Sequence, residues 1–329
     1  MGQGLSLYNH VPVDAVSKGV FDEMANENFI ATKVLPNNPS LDPYKGEIYK
    51  MLANTDQLDL RSKGARERAE EIQYKESSVK YETKPYKTSF FVDPNKCKKK
   101  ANPAKAMMME RQNGVVLTTR AERVRMESLA ASLYFNTSNF SNTTPETQWS
   151  TTATAKPIKD LNALAYTIGQ KTGIAPNTII FGHKPWRDFA SNETLLSTRS
   201  SLKDQVLTQA QSLELIRTGE LEYITNIFVG RGSYTSSNQG QSVTRTSLWG
   251  NFVWIGYVDP DPRSDTLNSA TFAKYEMANN SLGEETYVGI REFQEEEKDP
   301  DALFVEARSE YDYGVLDTNL GYLLTSVSA

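Results

Sequence analysis

The apolar positions of this chain change texture along its length. The first forty residues hold one short helical spacing, Val16, Val20, Phe21 and Met24, followed by VLPNNPSLDP, whose prolines block a continuous helix or a central strand. That pattern predicts an arm. Residues 41 to 92 are polar and lysine-rich, with SKGARERAEE at their centre. In VKYETKPYKTSFFVD, Val79, Tyr81 and Thr83 alternate with polar residues, and Tyr86, Thr88, Phe90 and Val92 alternate again in a new phase after Pro85. A stretch with so few aliphatic residues lacks a core of its own and is expected to project.

Two helices are predicted next. Asn102 and Pro103 open the first, AKAMMMERQ, and Thr119 with Glu122 reads as a capping box opening the second, TRAERVRMESLAASLYF. On the second, Ala121, Val124, Ser128, Ala131 and Phe135 share a face that Met126, Leu129 and Leu133 widen, so one broad side is expected to be buried against something large. The methionine run reads as core packing. Residues 136 to 155, rich in Asn, Ser and Thr, read as a linker.

Beyond it the pattern becomes that of a compact α/β unit. Pro157 opens a helix with Ile158, Leu161, Leu164, Ala165 and Ile168 inward, Gly173 stops it, TIIF is a short buried strand, and a further helix starts near Pro185. A helix over roughly 202–217 and the strands LEYITNIFVG and SLWGNFVWIGYV complete this unit, with a Gly- and Ser-rich loop between the strands. From Ala270 onward SATFAKYEM, ETYVGIREF and LFVEARSEYDYGVL are strands of an elongated antiparallel sheet, and GYLLTSV closes the chain.

Composition narrows the chemistry. With 38% hydrophobic and 23% charged residues the chain of 329 is of globular type, large enough for one big domain or two. The single cysteine, Cys97, excludes an intrachain disulfide and a multi-cysteine zinc site, and the two histidines, His10 and His183, leave little choice of catalytic base. No apolar run approaches the roughly 20 residues that span a bilayer, and no signal peptide is evident. MGQGLS fits a myristoylation pattern, but the motif is short and the stretch reads as a frayed start. Charge is uneven: residues 45 to 100 hold 14 Lys or Arg against 9 Asp or Glu, whereas residues 261 to 329 hold 5 against 15. Two surfaces of opposite sign suit self-association, and a net charge of −5 argues against a dedicated nucleic-acid reader.

The candidate sites are correspondingly few. GQKTG, residues 169 to 173, lacks the frame of a phosphate loop and follows a helix instead of a strand. GRGSYTSSNQG is glycine-rich only in composition. Glu295, Glu296, Glu297, Asp299 and Asp301 could gather a hard cation, yet their spacing matches no EF-hand and suits a solvated hairpin tip. His183, before Pro185, stands at or just before a helix start, where a capping or surface role outweighs catalysis because no nucleophile motif accompanies it.

Read in order, VKYETKPYKTSFFVD, AERVRMESLAASLYF, the linker with Trp149, PIKDLNALAYTIGQKTG, PNTIIFGHKPWRDFASN, LEYITNIFVGRGSY, SLWGNFVWIGYVDPDP and DTNLGYLLTSV resemble the major capsid proteins of tailed bacteriophages, the Hong Kong 97 fold family. The resemblance covers the chain from about residue 40. It implies an α+β fold with an N-terminal arm (1–40), an extended β-hairpin loop (41–91), a peripheral domain of a long spine helix on an elongated sheet (92–150 and 263–315), and an axial α/β domain (151–262 and 316–329).

What the resemblance implies for function is structural: a subunit that forms hexamers and pentamers of an icosahedral virion shell, assembled in the host bacterial cytoplasm around double-stranded DNA held by weak contact. It implies no catalytic, cofactor or metal residue. Lys63, Arg66 and Arg68 in the extended loop, and Glu295, Glu296, Glu297 and Asp299 at the acidic tip, become candidate intersubunit contacts. Ile180, Phe181, Trp186, Phe189, Trp249 and Trp254 become the axial core. A scaffolding protein, a portal and cement or decoration proteins are implied partners, and the short arm implies that scaffolding is separate or already removed. Lys63 sits where some members crosslink, but no acceptor asparagine or catalytic glutamate is identifiable and crosslinking is not predicted. An encapsulin-type nanocompartment shell is the nearest alternative, and an α/β enzyme built on residues 155–262 the alternative of another class.

Overall fold

The computed structural model describes residues 17, 29–52, 75–197, 206–217, 219–237, 242, 244–263, 267–279, 285–294 and 303–329. Its backbone is organised on one long helix, Pro103–Tyr134. Asn102 caps it by accepting from the Lys105 amide at 3.1 Å, and Pro103 occupies the first turn, where its missing N–H costs nothing. The two helices expected from the sequence are therefore one, of 32 residues and about 48 Å in length. Gly114 falls between the two stretches expected to be separate helices: a Cβ there would lie 2.8 Å from the Phe90 ring, so glycine lets a strand approach. Thr119 and Glu122 lie mid-helix, where their i, i+3 spacing mimics a capping box while both side chains bond to other elements.

The helix lies on a four-stranded antiparallel sheet built around β14. The strands, in chain order, are β1 (Lys45–Leu52), β2 (Lys75–Glu82), β3 (Lys84–Val92), β4 (Ser141–Thr143), β5 (Thr178–Gly182), β6 (Asn226–Gly230), β7 (Ser233–Thr235), β8 (Arg245–Ser247), β9 (Val253–Gly256), β10 (Thr271–Glu276), β11 (Ala278–Asn279), β12 (Glu285–Thr286), β13 (Gly289–Gln294), β14 (Leu303–Val315) and β15 (Gly321–Leu324). β3 pairs with β14 from Leu303↔Val92 to Tyr311↔Lys84. β13 pairs with it from Gln294↔Leu303 to Gly289↔Arg308, and β10 from Glu276↔Glu310 to Thr271↔Val315. Glu310 and Tyr311 pair with both β3 and β10, so those two strands lie on opposite edges of β14. The phase change read at Pro85 is the passage from β2, which leaves to pair with β1, into β3, which joins the sheet.

A second, five-stranded sheet runs in the order β4-β15-β9-β5-β6, parallel between β5 and β6 and between β15 and β4. β5 is buried throughout, as a central strand covered on both faces should be. Helix Pro157–Thr172 packs Leu161, Leu164, Ala165 and Ile168 on one face, with Gly173 in the left-handed conformation that ends it. Helix His183–Ala190 lays Trp186 and Phe189 on Phe181, each ring centroid 5.3 Å away. It begins two residues earlier than Pro185, and Gly182 is its N-cap.

The two sheets share a core. Ile180, Trp249, Trp254 and Leu323 cluster with Met126, Ala130 and Tyr134 of the long helix and with Tyr275 and Tyr311 of the elongated sheet. Of the six residues expected to form one axial core, Phe181, Trp186 and Phe189 lie in a separate cluster on the other side of the five-stranded sheet. Residues along β5 alternate in direction, so Ile180 and Phe181 face different layers.

Close approach also explains Gly182. A Cβ there would lie 2.0 Å from the carbonyl oxygen of Gly250, a backbone atom that cannot swing aside. Gly182→Ala is expected to destabilise the chain by at least about 2 kcal/mol, read from urea midpoints; an unchanged midpoint would mean the strands are not so closely set.

Candidate functional site

The inner face of the long helix carries charge where an apolar stripe is usual. Glu122, Arg123 and Glu127 are fully buried, so each must find partners from other elements. Glu122 accepts from Thr88 of β3 at 2.5 Å, from Ser309 of β14 at 2.8 Å and from Arg125 at 2.6 Å. The Arg125 guanidinium in turn lies over the Tyr86 ring, 5.6 Å from its centroid. This network pins the helix to the sheet in one register.

One turn on, a second network pins what crosses the helix. Residues 29–41 run as a strap over it: Phe29, Ile30, Ala31, Val34 and Leu35 are buried, with a single helical turn at Ala31–Val34. Glu127 accepts from the Ile30 and Ala31 amides at 3.0 and 2.8 Å, taking up N–H groups that a helix start leaves unpaired, and from the Trp249 indole at 2.6 Å. Arg123 donates to Thr32 Oγ1 and to the Phe29 carbonyl. Tyr134 donates to the Val34 carbonyl at 2.7 Å, and its hydroxyl lies 2.9 Å from that of Thr271 on β10. The strap then meets the sheet edge, the Asn38 amide donating to Ala273 and the Tyr275 amide to the Asn37 side chain. It ends at Leu41, in a small cluster with Ile48, Tyr81, Leu267, Phe272 and Leu316 that anchors the β1–β2 hairpin.

The helix face expected to be buried is buried only in part. Ala121, Val124, Ser128, Leu129, Ala131 and Phe135 line an open trough of about 690 Å³, bounded by Tyr86 on one side and by Tyr234, Leu248 and Phe252 on the other. Ser128 is exposed and Val124 half-buried. Of the expected residues Met126 and Ala131 are buried, and they continue a core-facing stripe of Val115, Thr119, Glu122 and Ala130 whose polar and charged members hid it from a hydrophobicity reading. A second hollow of about 300 Å³ continues along Leu129, Ser132, Leu133 and Asn136 to Tyr311 and Tyr313. Among the described residues the trough is left open.

The other candidates resolve simply. His183 is the exposed first residue of its helix and makes no capping bond, so the capping role is not fulfilled. GQKTG is the last turn of helix Pro157–Thr172 with its glycine stop. Part of GRGSYTSSNQG forms β7, paired with β8. Cys97 is buried beneath its lysine run, with burial pushing its thiol pKa up. Among the described residues no group of three or more His, Cys, Asp or Glu could hold a metal ion, and no helix is long and apolar enough to cross a membrane. Lys63, Arg66, Arg68, Glu295, Glu296, Glu297, Asp299 and Asp301 lie outside the described residues.

No protein-family profile matches the sequence, and neither does any curated protein. The architecture does match solved structures. A phage-related protein from Bordetella bronchiseptica superposes with a TM-score of 0.64 at 15% identity, over 97% of this chain and 99% of its own. The capsid of Myoviridae phage XM1 gives 0.53 at 9% identity, over 90% of each chain. The chain has the fold of phage capsid proteins. The capsid-type fold extends to a virus-like particle from Pyrococcus furiosus, at a TM-score of 0.53 and 11% identity over 94% of this chain and 98% of that one.

Glu127 gives this architecture a pH signature. Burial pushes its pKa above the ordinary 4.5, opposed by the Ile30 and Ala31 amides, the Trp249 indole and the facing charge of Arg123. A folded-state pKa above the unfolded one contributes stability that is complete below the ordinary value and is lost as pH rises through the raised one. Relative to a Glu127→Gln variant, the wild-type chain should therefore lose stability as pH is raised from below the ordinary carboxylate value to well above it. Denaturation midpoints across that range check this, and a constant difference between the two proteins contradicts it.

Proposed function

We propose that this chain is the major capsid protein of a tailed phage, a subunit that closes through hexamers and pentamers into an icosahedral shell around double-stranded DNA. The observation that carries the proposal is the correspondence in fold with the capsid of phage XM1 over 90% of each chain, beside that with the phage-related Bordetella protein over 97% of this chain and 99% of its own.

In this reading residues 1–40 are the arm, 41–91 the extended loop over a neighbour, 92–150 with 263–315 the peripheral domain, and 151–262 with 316–329 the axial domain. The elongated sheet on the long helix and the α/β layer on β5 support that division. The function is mechanical: many interfaces, each of about 1,600 Å² or less, gain strength by closing a symmetric shell. Lys63, Arg66 and Arg68 of one copy would meet acidic surface of the next, and Glu295, Glu296, Glu297 and Asp299 would gather near a local threefold axis. Scaffolding, portal and cement proteins would be its partners, and the virion shell, built in the host bacterial cytoplasm, its location.

The Pyrococcus match keeps a second reading in view, a cellular nanocompartment shell. The two differ in contents. Particles purified after phage production should protect genome-length double-stranded DNA from nuclease; particles that form without a phage and enclose protein instead favour the nanocompartment. A triple reversal, Lys63→Glu, Arg66→Glu and Arg68→Glu, should abolish rapidly sedimenting particles while leaving circular dichroism unchanged. Undiminished assembly would remove the electrostatic contact from the account.

A further inference from the structure

The strap and the loop carrying Trp249 are more than two hundred residues apart, yet both close on one carboxylate. Glu127 Oε1 accepts from the Trp249 indole at 2.6 Å and from the Ile30 amide at 3.0 Å, and Oε2 accepts from Ile30 at 3.0 Å and Ala31 at 2.8 Å. The surroundings are tight. A Cβ on Gly232, just after β6, would meet Glu127 Cγ at 3.3 Å and the Phe29 ring at 3.5 Å. The indole ring itself lies against Phe135, 5.1 Å between centroids, and a Cβ on Gly230 would lie 2.1 Å from it.

A buried carboxylate cannot shed its donors one by one at little cost, because each lost bond leaves charge unsolvated in a low-dielectric interior. If the indole withdraws, the oxygen it served is left to Ile30 alone. If the strap lifts, the indole is left as the carboxylate's single neutral partner. In either case water must enter, and water entering at one side solvates the carboxylate for the other. We infer that Glu127 is a latch that couples the N-terminal strap to the Trp249 loop, so that the two dock and release as one unit.

The coupling has reach. The strap leads through Leu41 into the base of the β1–β2 hairpin. The Trp249 loop joins β8 to β9 and so governs the β7–β8 ribbon on the far side of the trough. A displacement that lifts the strap therefore loosens the ribbon, and the reverse. This holds for the single chain, whatever it assembles into.

Hydrogen exchange by mass spectrometry on the full chain tests the latch, with peptides covering residues 29–35 and 245–252. Trp249→Phe keeps an aromatic ring and removes the donor; it should accelerate exchange in the strap about tenfold. Phe135→Leu removes ring packing on Trp249 and leaves every donor to Glu127 in place; it should leave the strap at the wild-type rate. Glu127→Gln should accelerate both peptides together. The inference fails if Trp249→Phe leaves the strap unchanged, or if Phe135→Leu opens the strap as much as Trp249→Phe does, since packing would then carry the coupling. Those two variants decide the matter even if Glu127→Gln does not fold.

Discussion

Burial of charge on the long helix is the constraint from which the rest of the architecture follows. A helix that sinks Glu122, Arg123 and Glu127 into its core face is stable only if partners arrive at fixed positions, because an unpaired buried charge costs several kcal/mol. Glu122 fixes β3 and β14 through Thr88 and Ser309; Glu127 fixes the strap and the Trp249 loop. A purely apolar face would have tolerated sliding by a turn. The charged face specifies one alignment of sheet, strap and loop on a single beam.

That alignment suits a part of a larger object. One core cluster is shared between the two sheets, while another face of the same helix lines an open trough among the described residues. The described residues assemble no metal cluster, and His183 stands exposed away from the buried networks. The fold is shared with the capsid of phage XM1 and with the phage-related Bordetella protein.

Much of the fold was legible because it rests on local chemistry. Asn102-Pro103 starts a helix, Gly173 ends one, and the TIIF run is a buried strand; each is written in a few adjacent residues. The break proposed inside the long helix was wrong for a nonlocal reason: Gly114 answers to Phe90, and the Thr119–Glu122 pair to Ser17, Thr88 and Ser309. Part of the buried face was missed for the same reason. Arg123, Glu127, Ala130 and Tyr134 recur at spacings of four, three and four, a helical stripe, but charged residues on a stripe read as solvated until their partners are known. The resemblance from ordered segments succeeded where single motifs could not, since it drew on the whole chain at once.

The central claim is that this fold is a shell subunit, and electron microscopy of the purified, concentrated protein tests it most directly. The account predicts closed shells or five- and sixfold rings of capsomers, with or without a coexpressed scaffold. A protein that stays strictly monomeric at every concentration and with every scaffold tried contradicts it.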